Sequence, residues 1–133
     1  LGALRSYQRL VEEYPQSDLA SAASFWSADS QFHLAQYEQA DAMLAQLQLT
    51  SADADKEYRA MIPLRRAQIA LHQRQWADAL NLAEGIRSQF PNFDLQFEAD
   101  YLIGRCLNSQ ARFSLARQSF RQVINAPDRK SVV

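Results

Sequence analysis

Two histidines, one cysteine and a pair of adjacent glutamates are the residues here whose types could do chemistry. His33 and His72 each stand five residues after an alanine, Ala28 and Ala67, in a setting that recurs along the chain, so they fall at equivalent places on neighbouring elements. Two imidazoles could ligate zinc. A catalytic zinc, however, takes about three protein ligands and a structural zinc four, and the third equivalent place holds Ser109. The pair is read as polar surface histidines. Cys106 has no histidine near it in sequence and sits beside Gly104 and Leu107, the setting of a small packing residue rather than a nucleophile. As the only cysteine it forms no intrachain disulfide and leaves the redox compartment open. Glu12-Glu13 reads as a solvated acidic face near a helix end, and the three glycines are isolated, so no phosphate-cradling loop is present. The expectation is a chain that is not an enzyme, with no metal and no cofactor.

What positions these residues is an internal repeat. Three times a small residue stands nine positions before an aromatic and twelve before an alanine: Ala28-Tyr37-Ala40, Ala67-Trp76-Ala79 and Gly104-Phe113-Ala116. Each later alanine is followed at the fourth and seventh positions by apolar residues, namely Leu44 and Leu47, Ala83 and Ile86, Phe120 and Val123. A spacing of 0, 4 and 7 marks one face of a helix. The same face appears as Ala3, Tyr7 and Leu10, so the chain begins in mid-repeat. The pattern predicts helices at roughly 2–13, 18–35, 38–48, 54–73, 75–89, 94–110 and 113–125. Pro63 falls inside the fourth, where it either kinks the helix or marks its true start. Strand alternation and hairpin dipeptides are absent, which argues against a sheet.

This pattern resembles the tetratricopeptide repeat (TPR), in which antiparallel helices A and B pack through small residues and an aromatic marks their turn. The resemblance implies an all-α fold, a right-handed superhelical α-solenoid of antiparallel helix pairs with about seven helices. Ala28, Ala67 and Gly104 match the small position of helix A, Tyr37, Trp76 and Phe113 the turn aromatic, and Ala40, Ala79 and Ala116 the close-contact position of helix B. The family's proline is present as Pro15 and Pro91, missing at Ala52 and displaced by one at Pro127. Successive helix-B alanines are 37, 39 and 37 residues apart, against about 34 in the family. The excess lies in the B-to-A connections. Their length, with the strings Glu13-Tyr14-Pro15-Gln16-Ser17 and Gln89-Phe90-Pro91, looks like the bacterial envelope branch of the family, the outer-membrane assembly lipoproteins and the Tol-Pal-associated coordinators. That likeness implies the periplasm or cell envelope. The expected organisation is a single solenoid fragment over 1–133, with helix B of a truncated repeat at 1–15, repeats at 18–52, 54–91 and 94–127, and the approach to another at 128–133.

Helix A lines the concave surface in this family, so the resemblance implies a partner-binding groove of Trp26, Asp29 and His33, then Arg65, Gln68 and His72, then Tyr101 and Arg105. Aromatic and arginine anchors supply most of the affinity at protein interfaces. Trp26 and Tyr101 are equally readable as core, since Phe25, Leu64 and Tyr101 fall at equivalent places, and Arg65 and Arg105 could simply pair with Asp29 or Asp100. The carboxylate clamp of chaperone-adaptor relatives is missing, because Phe25, Asp29, Arg65, Glu98 and Leu102 stand at its positions. The implied partner is a protein or peptide, not a chaperone tail.

Charge is balanced overall but unevenly placed. Residues 1–60 carry four basic and nine acidic side chains, 61–96 four and three, and 97–133 six and three, so the net runs from −5 through +1 to +3. Arg112, Arg117, Arg121, Arg129 and Lys130 form a basic stretch, yet a pI near 6.1 argues against nucleic acid. No transmembrane run or lipidation motif is present, so no membrane insertion is expected. The charge gradient and the uncapped repeat ends motivate a rival expectation: a structural spacer or oligomerisation segment that self-associates through its ends. A regulatory arm of a larger enzyme is a third.

Overall fold

The computed structural model describes residues 5, 6, 9, 12, 13, 18–50 and 57–125. Among them are six α-helices: α1 (Asp18–His33), α2 (Tyr37–Thr50), α3 (Met61–His72), α4 (Trp76–Gln89), α5 (Gln96–Ser109) and α6 (Phe113–Asn125). A 3₁₀ turn, Glu57–Arg59, precedes α3, and no strand occurs among the described residues. The fold is all-α, as expected. Most of the expected first helix lies outside the described residues; Arg5, Ser6, Arg9, Glu12 and Glu13 are helical, and Arg9 pairs with Glu13 one turn on at 2.9 Å.

Three helix pairs are joined by turns built to one plan. In the first, the Ala35 N–H donates to the Phe32 carbonyl at 3.0 Å and the Gln36 N–H to the Gln31 carbonyl at 2.8 Å. These are the two bonds of a Schellman cap. Arg74 and Gln75 repeat them onto Leu71 and Ala70, and Ala111 and Arg112 onto Asn108 and Leu107. The capping residue is left-handed each time, with φ of 62° at Ala35, 60° at Arg74 and 61° at Ala111. None of the three is glycine, so each repeat places a side chain where glycine is usual. The next residue then opens helix B by accepting the N–H of Ala40, Ala79 or Ala116 at 3.0 Å. A connection this short returns the chain antiparallel.

The small residues close the pairs. Ala28, Ala40, Ala67, Ala79 and Ala83 are fully buried, as are Leu44 and Ile86. At the third pair a Cβ on Gly104 would overlap the Phe120 ring. Phe120 stands sixteen residues after Gly104, where Leu44 follows Ala28 and Ala83 follows Ala67. The largest of the three facing side chains therefore meets the only residue without a side chain. α1 packs on α2, and α5 on both α4 and α6.

Several expected boundaries shift for identifiable reasons. α1 and α5 stop at His33 and Ser109 because the caps take the residues that follow. The helix expected at 54–73 begins at Met61. Pro63, which has no N–H to give Arg59, lies in its first turn, where that donor is not needed. Arg59 instead donates from Nη1 to the Leu47 carbonyl at 3.1 Å, closing the last turn of α2. α5 begins at Gln96 rather than 94; the Gln96 amide donates back to the Phe90 carbonyl at 2.6 Å. The expectations at Pro15, Ala52 and Pro127 lie outside the described residues. The chain forms two compact units that divide between Arg65 and Arg66.

Candidate partner-binding site

In the first unit, Trp26, Asp29 and His33 share one face of α1 at spacings of 0, 3 and 7, and Arg65 reaches that face from α3. Arg65 Nε donates to Asp29 Oδ1 at 2.6 Å, while His33 Nε2 lies 3.3 Å from Asp29 Oδ2. The Arg65 guanidinium also stands 5.2 Å over the Phe32 ring. The Arg65 and Asp29 side chains are only 17% and 14% exposed, so the pair is shielded from much of the solvent that weakens surface ion pairs. The cluster thus joins α1 to the start of α3. Trp26 is different: 47% exposed, it meets Phe25 edge-on at 5.0 Å. Phe25 itself is buried and stacks on Tyr58 at 5.4 Å.

In the second unit, Gln68 is half-buried and His72 exposed on α3. Tyr101 and Arg105 stand one turn apart on α5, with the guanidinium 5.9 Å from the ring centroid, and Tyr101 also meets Phe120 at 5.9 Å. Tyr101 is 48% exposed although its equivalents Phe25 and Leu64 are buried to 1% and 0%. Asp100 does not pair with Arg105. It is almost fully buried, and both of its oxygens accept from Arg87 Nη2, at 2.7 and 2.6 Å. Arg87, overlooked in the sequence, belongs to helix B, and its charge shows no regular spacing to α5 that would announce the pair.

The chemistry expected to be absent has these surroundings. Cys106 is buried, which pushes its thiol up from 9.0 to about 11 against the opposing pull of Arg105. A thiol so protonated is inert near neutral pH. Among the described residues no three His, Cys, Asp or Glu side chains are grouped to hold a metal. An open cleft of about 580 Å³ lies where α4 ends and α5 begins, lined by Arg87, Pro91, Phe93, Phe97 and Gln122 among others. It includes none of the expected groove residues. The turn aromatics also differ: Tyr37 and Trp76 are half-buried, whereas Phe113 is 58% exposed rather than wedged between helices.

Three hairpins with one cap, one aromatic position and one close-contact alanine describe a repeat family. Over residues 2–132 the sequence matches the tetratricopeptide repeat-like domain. The chain belongs to the tetratricopeptide repeat-like family. No curated protein matches it. TPR-like domains typically serve as scaffolds for protein interaction. No described helix is long and apolar enough to cross a membrane.

Proposed function

We propose that this chain is a non-catalytic interaction scaffold that holds a protein or peptide on the helix-A side chains Trp26, Asp29, His33, Arg65, Gln68, His72, Tyr101 and Arg105. The observation that carries this is the pair of half-exposed aromatics, Trp26 and Tyr101, each on a helix-A face beside an arginine or a shielded ion pair. Large amphipathic rings held on rigid helices are the usual anchors of protein interfaces. Asp29 and Arg65 already satisfy one another, so their role is to fix the floor of the site while Trp26, His33 and Tyr101 meet the partner. The long B-to-A connections and their Tyr-Pro and Phe-Pro strings support placing the scaffold in the bacterial cell envelope.

The test is site-specific photo-crosslinking in cells that express the protein, with the crosslinker at position 26, 72 or 101 and, as a control, at the exposed Glu84 on α4. A protein trapped from the three helix-A positions and not from position 84 is the expected result. Equal trapping from all four would overturn the groove. The uneven charge supports a second reading, a spacer or oligomerisation segment. Under that reading the chain self-associates at low salt and dissociates at high salt in sedimentation, with no helix-A preference in crosslinking.

A further inference from the structure

We propose that the exposed face of α5 and α6 seats an acidic amphipathic helix of a partner protein, its side chains meeting Tyr101 and Arg105 as Tyr58 and Arg65 meet Phe25 and Asp29 on α1. This rests on the protein-binding reading for Tyr101 and Arg105 and extends it to α6, which that reading leaves unused.

Register is the first ground. Leu44, Ala83 and Ile86 are fully buried and Leu47 nearly so, while their third-repeat equivalents Phe120 and Val123 are only half-buried. Tyr101 stands open where Phe25 and Leu64 are sealed, and Phe113 and Ile124 are 58% and 68% exposed. On α6, residues 113, 117, 120, 121 and 124 follow one face of the helix. The position of Tyr101 is core in the other two repeats, those of Phe120 and Val123 are less buried here than in either, and Ile124 adds an apolar side chain where the other repeats carry Gln48 and Arg87; such a face gains by burial.

What covers the matching face of α1 indicates the kind of occupant. Phe25 is stacked by Tyr58, and Asp29, one turn on, takes Arg65 from α3. The position equivalent to Asp29 is Arg105, so the charge is inverted. A helix lying there needs a carboxylate where α3 carries Arg65. The rest of the surface makes the same demand. From Tyr101 to Asn125 there are four arginines, Arg105, Arg112, Arg117 and Arg121, and no Asp or Glu. All four are exposed and form no ion pair among the described residues. Arginine forks favour carboxylates, and the apolar Phe113 and Ile124 on the same face as Arg117 and Arg121 suit leucine-like side chains better than nucleobases.

The probe is a synthetic helical peptide with leucine at i, i+3, i+4 and i+7 and glutamate on the flanks. The controls are the same residues in an order without a helical face, a single-stranded oligonucleotide and anionic phospholipid vesicles. Fluorescence anisotropy of the whole chain with the ordered peptide should show binding about tenfold tighter than the shuffled one. Arg117→Glu with Arg121→Glu should lose about tenfold, as should Phe113→Ser with Ile124→Ser. These side chains are exposed, and circular dichroism checks that each variant remains folded. Arg105→Glu should be rescued by a peptide whose facing glutamate is lysine. Equal affinity for both peptides, tighter binding of the oligonucleotide or the vesicles, or indifference to the α6 substitutions would overturn the proposal. So would a dimer that the peptide cannot dissociate, because the occupant would then be a second copy. The α6 substitutions leave Trp26, Asp29 and Arg65 untouched, so crosslinking at positions 26 and 72 reports on the groove separately.

Discussion

At the level of single residues, the ion pairs and the cysteine carry the clearest consequences. Asp100 is nearly buried while Arg87 is 57% exposed, so the pair is sealed on one side and wet on the other. Arg87→Ala would leave a buried carboxylate without its donor, an expected loss of about 1–3 kcal/mol, toward the low end because solvent reaches the arginine. Replacing both, as Arg87→Met with Asp100→Leu, should cost less than the single change, since no charge is then stranded. Urea denaturation of the three proteins decides it; a double variant that loses as much as the single or more would mean that a stranded carboxylate is not what the single change costs. For Cys106 the thiol is pushed from 9.0 to about 11 by burial. The folded state thus holds its proton more tightly than the unfolded one. The stabilisation is complete below about pH 9 and disappears as pH rises through about 11. Thiol reagents at pH 8 should react with the native chain only through unfolding, and Cys106→Ala should flatten the fall in stability between pH 9 and 11.

At the level of elements, the three caps and the Gly104 contact are the informative parts. A left-handed residue with a side chain costs roughly 1 kcal/mol against glycine, partly offset by the greater freedom glycine has when unfolded. Ala35, Arg74 and Ala111 are all exposed, so changing them to glycine removes strain without removing packing. Each substitution should raise stability by about 0.5 kcal/mol, and the three together should raise Tm by a few degrees. A falling Tm would mean that the side chains contribute more than the strain costs. Gly104→Ala should destabilise by about 1–3 kcal/mol, because the Phe120 ring must move. Phe120→Leu, which recreates the Ala28 and Leu44 combination of the first repeat, should restore most of it. The repeat spacing made the helix pairs, their close contacts and the small-residue positions legible in advance, because each depends on residues 4, 9 or 12 apart along one chain. The caps were not legible, since neither alanine nor arginine announces a positive φ. Nor was the exposure of Tyr101 and Phe113: both fit the repeat pattern, and only the neighbouring elements decide whether a patterned residue is core or surface. Of the proposed site, sequence alone suggested that Arg65 could pair with Asp29; it also offered Asp100 to Arg105, where the structure supplies Arg87.

At the level of the whole molecule, the distribution of charge matters more than its sum. The chain carries a net −1, from which an acidic partner would meet no attraction, yet residues 97–133 carry +3 and residues 1–60 carry −5. Charges farther apart than about 10 Å are largely screened at 0.1 M salt, so a ligand on α5 and α6 responds to the arginines beside it and not to the total. An acidic helix drawn to Arg105, Arg117 and Arg121 should therefore associate faster as salt is lowered from 0.3 to 0.1 M, as if the chain were basic. The regional field also predicts a change of sign. Converting Arg117 and Arg121 to glutamate shifts the 97–133 segment by four charges, from +3 to −1, and association should then quicken with added salt as repulsion is screened. Stopped-flow association rates of the acidic peptide measured across that salt range separate the two cases. Rates that ignore salt in the unaltered chain would show that the arginines do not act as a common field, and the apolar stripe of α6 alone would then have to account for whatever binding remains.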